Sequence, residues 1–196
     1  MKLPIHSEIL RKVIHISCAF FPMIYLLWLS KEQIVILCGL ITCGFFVAEI
    51  VRFKSVTGEK IFNYLFKSLL REKEKSTSLT GATWLFMAIT ITFWLFSKKI
   101  AVASIFVVTI ADSLAAIIGK RYGRKKMFDK SWLGSSVFLI STTVILLILF
   151  PLLGYKALLF AVPIAFLEAL SLPVNDNILI PIFAGALLTV GHSFTG

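Results

Sequence analysis

Charge is scarce in this chain. Only 15% of its 196 residues are charged, and acids are half as common as bases, 10 against 20. A soluble domain carries about 25% charged residues and 45–50% apolar ones. Here 58% are hydrophobic, 18 of them Phe, and the mean hydropathy is +0.93. Too few polar side chains exist to cover a water-soluble surface, so lipid is the expected solvent. Cysteine is equally sparse. Cys18, Cys38 and Cys43 lie in apolar segments at no metal spacing, which excludes a disulfide framework and a zinc site. No soluble basic domain carries the net charge of +10, so the excess does not point to nucleic acid. The opening MKLPIHSEILRK stays polar for longer than a signal n-region and precedes no small-residue cleavage site, so no cleaved leader is expected. There is also no clear internal repeat of the kind many transporters show.

What is present is a series of apolar runs of near-membrane length, at about 13–29, 33–51, 79–97, 100–119, 132–150, 155–170 and 178–195. These predict an all-α fold: one domain over 1–196, a polytopic membrane bundle of about seven transmembrane helices. All but four of the 20 lysines and arginines fall on one side of such a bundle; the exceptions are Lys31, Lys98, Lys99 and Lys156. The positive-inside rule puts that richer side, and the N-terminus, in the cytosol. Every acid except Glu32 gathers on the same side. Orientation does not require this, so it reads as polar chemistry collected on one face. Between the second and third runs, Ile61, Phe62, Leu65, Phe66, Leu69 and Leu70 share a helical face opposite Lys60, Asn63, Lys67 and Arg71, the pattern of an amphipathic interfacial helix.

Asp112 is the residue that most needs a reason. It lies seven residues before Gly119, roughly 10 Å below the end of its span. An acid at that depth costs about 2.5–3.5 kcal/mol on insertion scales, so it should face the bundle interior with a partner. Ala115, Ala116 and Gly119 share its face, where small side chains admit another backbone or a ligand. The run then ends in GKRYGRKK, with Lys120, Arg121, Arg124, Lys125 and Lys126 around Gly119 and Gly123. A carboxylate beside a basic glycine turn suits a metal-bound polyphosphate: oxygen for a hard cation, backbone N–H groups and bases for the phosphates. An orienting anchor with a structurally paired acid explains the same residues. Two more clusters lie on that side. Glu8, Arg11, Lys12 and His15 share one face before the first span, and Glu168, Asp176 and Asn177 flank the turn before the last.

In order along nearly the whole chain, these segments resemble the CTP-dependent lipid-alcohol kinases, the family of dolichol kinase, phytol kinase and fungal CTP-dependent diacylglycerol kinase. EILRKVIH is similar to the family's E-x-x-R-K-x-x-H opening. REKEKSTSLTGATW, with Arg71, Glu72, Glu74, Thr80 and Gly81, is similar to the segment before the third span. DSLAAIIGKRYGRKK resembles the D-x-x-A-x-x-x-G-x-x-x-G core, KSWLGS the K-S-x-E-G-S element, and EALSLPVNDNILIPI the closing E…D-N-x-x-x-P block. Ala111 stands where relatives often carry Gly, and Leu133 where KSxEGS has Glu, so Glu72, Glu74 or Glu168 would have to replace that carboxylate.

The resemblance implies transfer of the γ-phosphoryl of CTP to the hydroxyl of a polyprenol, phytol or diacylglycerol at the cytosolic face. Its implied residues are Asp112, Asp176 and Glu168 for Mg²⁺, with Arg11, Lys12, Gly119, Lys120, Arg121, Gly123, Lys130 and Ser131 for the nucleotide. Asp112 with Glu72, Glu74 or His15 would be catalytic, and Glu8 and Asn177 complete the site. The implied partners are a membrane lipid alcohol, a nucleotide and the bilayer. A chain this short is similar to compact prokaryotic members, which implies the cell (inner) membrane. The nearest competitor is phosphatidate cytidylyltransferase, which shares the D-x-x-A-x-x-x-G core and CTP. Its H-G-G-x-x-D-R-x-D hallmark is missing here, where DNILIP takes its place. A small-solute transporter and a structural membrane protein are the alternatives of other classes.

Overall fold

The structure is a computed structural model that describes residues 5–66, 69, 70, 74, 78–128, 130–170, 172 and 174–193. Ten α-helices follow one another among these residues: α1 (Ile5–Ser17), α2 (Phe20–Leu27), α3 (Lys31–Lys54), α4 (Val56–Phe66), α5 (Gly81–Leu95), α6 (Lys98–Phe106), α7 (Asp112–Tyr122), α8 (Trp132–Leu149), α9 (Lys156–Ala169) and α10 (Asp176–Ser193). A π-helical segment, Val107–Ala111, fuses α6 to α7.

Every expected span coincides with helix, but among the described residues four candidate spans are long and apolar enough to cross a membrane rather than seven: Ser7–Leu27, Lys31–Lys54, Lys98–Tyr122 and Trp132–Leu149. The shortfall is one of length. Helix α5 has 15 residues and α9 has 14, each roughly 21–23 Å of helix against a hydrocarbon core near 30 Å, and α10 is apolar only over Asp176–Gly191. The coarse expectation of an all-α membrane bundle stands. The first candidate span begins before residue 13 and is broken at Cys18–Ala19. Pro22 explains the break, since its ring lacks an N–H and clashes with the carbonyl four residues back, that of Cys18.

The bundle is built around the 98–122 helix. Of its apolar window 72% is buried, against 22% for Lys31–Lys54, which lies at the edge. Helix α1 packs on α7, α2 on α6, α8 on α7, and α10 on both α5 and α6, while α3 covers α5. Val102, Ile105, Val107, Val108 and Ala111 from the axis meet Tyr25, Ile89, Phe93, Phe138, Ile164 and Ile180 in one core. The amphipathic helix is present as α4 and ends at Phe66. Ile61, Tyr64, Leu65 and Phe66 are exposed, whereas Phe62 and Asn63 are half-buried and meet the rest of the bundle. Lys67 and Arg71 lie outside the described residues.

One small element is not helical. Strands β1 (Lys126–Met127) and β2 (Lys130–Ser131) form an antiparallel ladder, pairing Lys126 with Ser131 and Met127 with Lys130. Phe128 turns the chain at φ 56°. The basic loop is thereby folded back, which carries Lys130 toward α9 and α10.

Candidate functional site

The site forms where α1, α7, β2, α9 and α10 come together at the lysine-rich end. Helix α1 presents Glu8, Arg11, Lys12 and His15 inward at a spacing of three and four residues, as the pattern required. Lys12, 9% exposed, donates a hydrogen bond to the carboxylate of Asp112, which is 6% exposed. That is the partner the depth of Asp112 demanded. Glu8 lies 3.9 Å from Arg11 and 3.7 Å from Lys120, and Arg11 reaches Glu74 at 3.7 Å.

Across the cavity, Lys130 Nζ donates to Glu168 Oε1 at 2.7 Å and to Asp176 Oδ2 at 3.1 Å. Burial works against charge on Lys130. The nearby Glu168, Asp176 and Asp112 outweigh it and hold the ammonium pKa above its ordinary value. Asp176 is free for this contact because it does not cap α10. Asn175 does: its Oδ1 accepts from the Asn177 N–H at 3.0 Å, and its carbonyl from the N–H groups of Ile178 and Leu179. Asn177 in turn donates through Nδ2 to the Gly81 carbonyl at 3.1 Å.

Gly119, Gly123, Ser131 and Gly134 lock α7 to α8. The Ser131 hydroxyl donates to the Gly119 carbonyl at 3.2 Å and accepts from the Gly134 N–H at 3.0 Å, capping α8. A Cβ on Gly119 would lie 2.7 Å from Ser131 Oγ and 2.9 Å from Gly134 Cα. One on Gly123 would strike Ser131 and the Gly119 carbonyl. Close backbone approach is therefore a reason for glycine at both positions, whatever else they do.

Two cavities open onto this cluster. One, about 300 Å³, is lined by Arg11, Lys12, His15, Glu74, Gly81 and Asn177 among others. The second, about 470 Å³, is lined by Glu8, Gly119, Lys120, Gly123, Lys126 and Ser131 among others. Lys12, Asp112, Lys130 and Asp176 line both and form the wall between them. Glu168 reaches the larger one.

The structure thus gathers most of the expected residues. Arg121 is the exception: its guanidinium lies over the Tyr122 ring at 5.4 Å, and it lines neither cavity. Glu72 lies outside the described residues. Leu133 is 41% exposed and lines neither cavity, so the missing Glu leaves no gap in either wall. Sequence reasoning named Lys126 only as one cation of the basic turn, not as a separate site residue, and did not single out Asn175. The β-ladder brings in the first, and an Asn directly before a helix-starting Asp-Asn was the available sign of the second.

The three carboxylates do not stand like a metal's ligand shell. Lys12 holds Asp112, and Lys130 holds Glu168 and Asp176. Among the described residues no three acid, histidine or cysteine groups come close enough to share an ion. As arranged, the acids fit lysine rather than a resident Mg²⁺.

No family model matches the chain, and no solved structure does. Curated proteins do. An uncharacterized protein of Rickettsia prowazekii is 29% identical over 181 residues, 88% of each chain. CTP-dependent diacylglycerol kinase 1 of Schizosaccharomyces pombe is 28% identical over 134 residues, 65% of this chain and 60% of that one. Probable phytol kinase 1 of Oryza sativa subsp. japonica is 28% identical over 151 residues, 66% of this chain. The chain is a distant relative of the CTP-dependent lipid kinases. This chain matches 48% of the length of the rice kinase and 60% of the fission-yeast one, so those proteins carry substantial sequence beyond the shared part.

Proposed function

We propose that this protein is a membrane-embedded kinase that moves the γ-phosphoryl of CTP to the hydroxyl of a lipid alcohol: a polyprenol, phytol or diacylglycerol. The observation that carries the reading is the shared wall. Lys12, Asp112, Lys130 and Asp176 separate two polar cavities at one end of an apolar bundle. Two substrates can meet there, one from each side.

Phosphoryl transfer asks chiefly for positioning and charge neutralisation. The larger cavity, with Lys120, Lys126 and the α7–α8 turn, suits the triphosphate. The smaller cavity suits the hydroxyl, beside His15 and Glu74. The hydroxyl oxygen attacks the γ-phosphorus, the bond to the β-phosphate oxygen breaks, and CDP leaves. The hydroxyl proton passes to Glu74 or His15. Lys12 and Lys130 meet the equatorial oxygens as they exchange their carboxylate partners for phosphate. Any Mg²⁺ in this reading would travel with the nucleotide's phosphates rather than rest on Asp112, Asp176 and Glu168, which the two lysines already hold.

The test is phosphate transfer to a panel of lipid alcohols by purified protein. Label from γ-phosphate-labelled CTP should enter the lipid, whereas label in the cytosine ring should not; ring label in the lipid would instead indicate a cytidylyltransferase. Preferential labelling from ATP would contradict CTP as donor. Asp112→Asn should abolish transfer while membrane insertion is kept, and retained turnover would remove Asp112 from the site.

A further inference from the structure

The deepest ion pair among the described residues lies outside both cavities. Glu49 and Arg52, one turn apart near the end of α3, have side chains only 2% and 1% exposed, with 2.6 Å between Oε2 and Nη2. A cation that merely set orientation would reach water. Arg52 instead donates to the carbonyls of Glu74, at 2.5 Å, and Ser78, at 2.8 Å. Its guanidinium lies 4.9 Å from the ring centre of Phe62 on α4 and 4.4 Å from that of Phe53. Glu49 Oε1 accepts from the Thr80 N–H at 2.7 Å and the Thr83 hydroxyl at 2.9 Å. The pair therefore grips the entry to α5 at four points.

That entry supplies one side of the smaller cavity. Glu74 faces Arg11 at 3.7 Å, and Gly81 gives its carbonyl to Asn177. A Cβ on Gly81 would come within 3.0 Å of Arg11, so the guanidinium is packed closely over this turn. Burying an ion pair is poor value for stability alone, and its better-attested use is to select one arrangement.

We propose that Arg52, braced by Glu49, is a positioning residue for the site: it holds the main chain at Glu74 and at 78–81 so that Glu74 and Gly81 keep Arg11 aimed into the smaller cavity. The proposal rests on the lipid-kinase reading only for what the cavity does. A planar guanidinium can serve two carbonyls and a carboxylate at once, and an ammonium cannot reproduce that fork.

The experiment uses the full chain in lipid nanodiscs. In Arg52→Lys, amide hydrogen exchange at Thr80–Thr83 should quicken by tenfold or more, while α8 is unchanged. Turnover should fall about 10- to 100-fold, the scale of a small misplacement. Arg52→Lys and Glu74→Gln should be non-additive in turnover, because one acts through the other. Unchanged exchange at Thr80–Thr83, or losses that simply multiply, would overturn the proposal. If the wild-type protein phosphorylates no lipid alcohol, the kinase reading falls and the exchange measurement alone decides the clamp. Should Arg52→Lys not insert, Glu49→Gln, which keeps the acceptor's shape, is read in the same way.

Discussion

Lys130 shows how much one residue can organise. It stands in a two-residue strand, yet it joins Glu168 at the end of α9 to Asp176 at the start of α10. Its raised pKa is a statement about stability. A lysine with a folded value above its ordinary one contributes fully below about 10.4, and the contribution disappears as pH rises through the folded value. Lys130→Met should therefore lower the thermal midpoint at pH 7–9, by about 2–4 °C for each kcal/mol lost. It should also remove the part of the alkaline decline that Lys130 causes. A pH series of thermal unfolding in both proteins checks this; identical curves would mean that the ion pairs add nothing. Residue-level reading of the sequence went far here, because an acid within an apolar run and a face at i, i+3, i+4, i+7 are local signals. What it could not see was pairing. That Lys12 answers Asp112, a hundred positions away, and that Arg52 reaches back to the carbonyl of Glu74, follow from how helices meet rather than from spacing.

At the scale of elements, hydrophobic periodicity located a helix at each expected span but not its ends. Pro22 breaks the first candidate span, Asn175 starts α10 earlier than hydropathy suggests, and α5 and α9 are shorter than their apolar runs. The ladder at 126–131 escaped notice because two residues per strand carry no periodicity. The π segment escaped for the same reason. Its signature is backbone: the Asp112 N–H bonds to the carbonyl of Val107, five residues back rather than four. One extra residue per turn shifts every side chain beyond it by about 100° relative to an unbroken α-helix. Deleting Thr109 takes out that extra residue, so α geometry should return with Asp112 still facing Lys12. The expected outcome is an inserted protein that keeps transfer, checked by assaying transfer alongside membrane extraction; loss of transfer with insertion intact would show that the bulge does more than set the direction of Asp112.

For the whole molecule, the separation of polar chemistry to one end is the dominant fact. Both cavities open at the lysine-rich end, and that is the end the charge distribution assigns to the cytosol. In sealed vesicles of defined orientation, CTP should support transfer only from the side that bears Lys120 and Lys126. Equal turnover from either side would break the link between charge and site. Composition and loop charge made this sidedness legible before any helix was placed. The two-chambered form was not legible, since it needs α1 and α10, from opposite ends of the chain, to close on α7.

If the proposed reaction runs at the shared wall, the confinement of that wall to one end fixes where a product would be left. A phosphorylated lipid bears an anionic head that hydrocarbon strongly disfavours. On the proposed reaction each turnover would enrich a single leaflet in negative charge, and the molecule would act as a source of transverse asymmetry in the membrane that holds it.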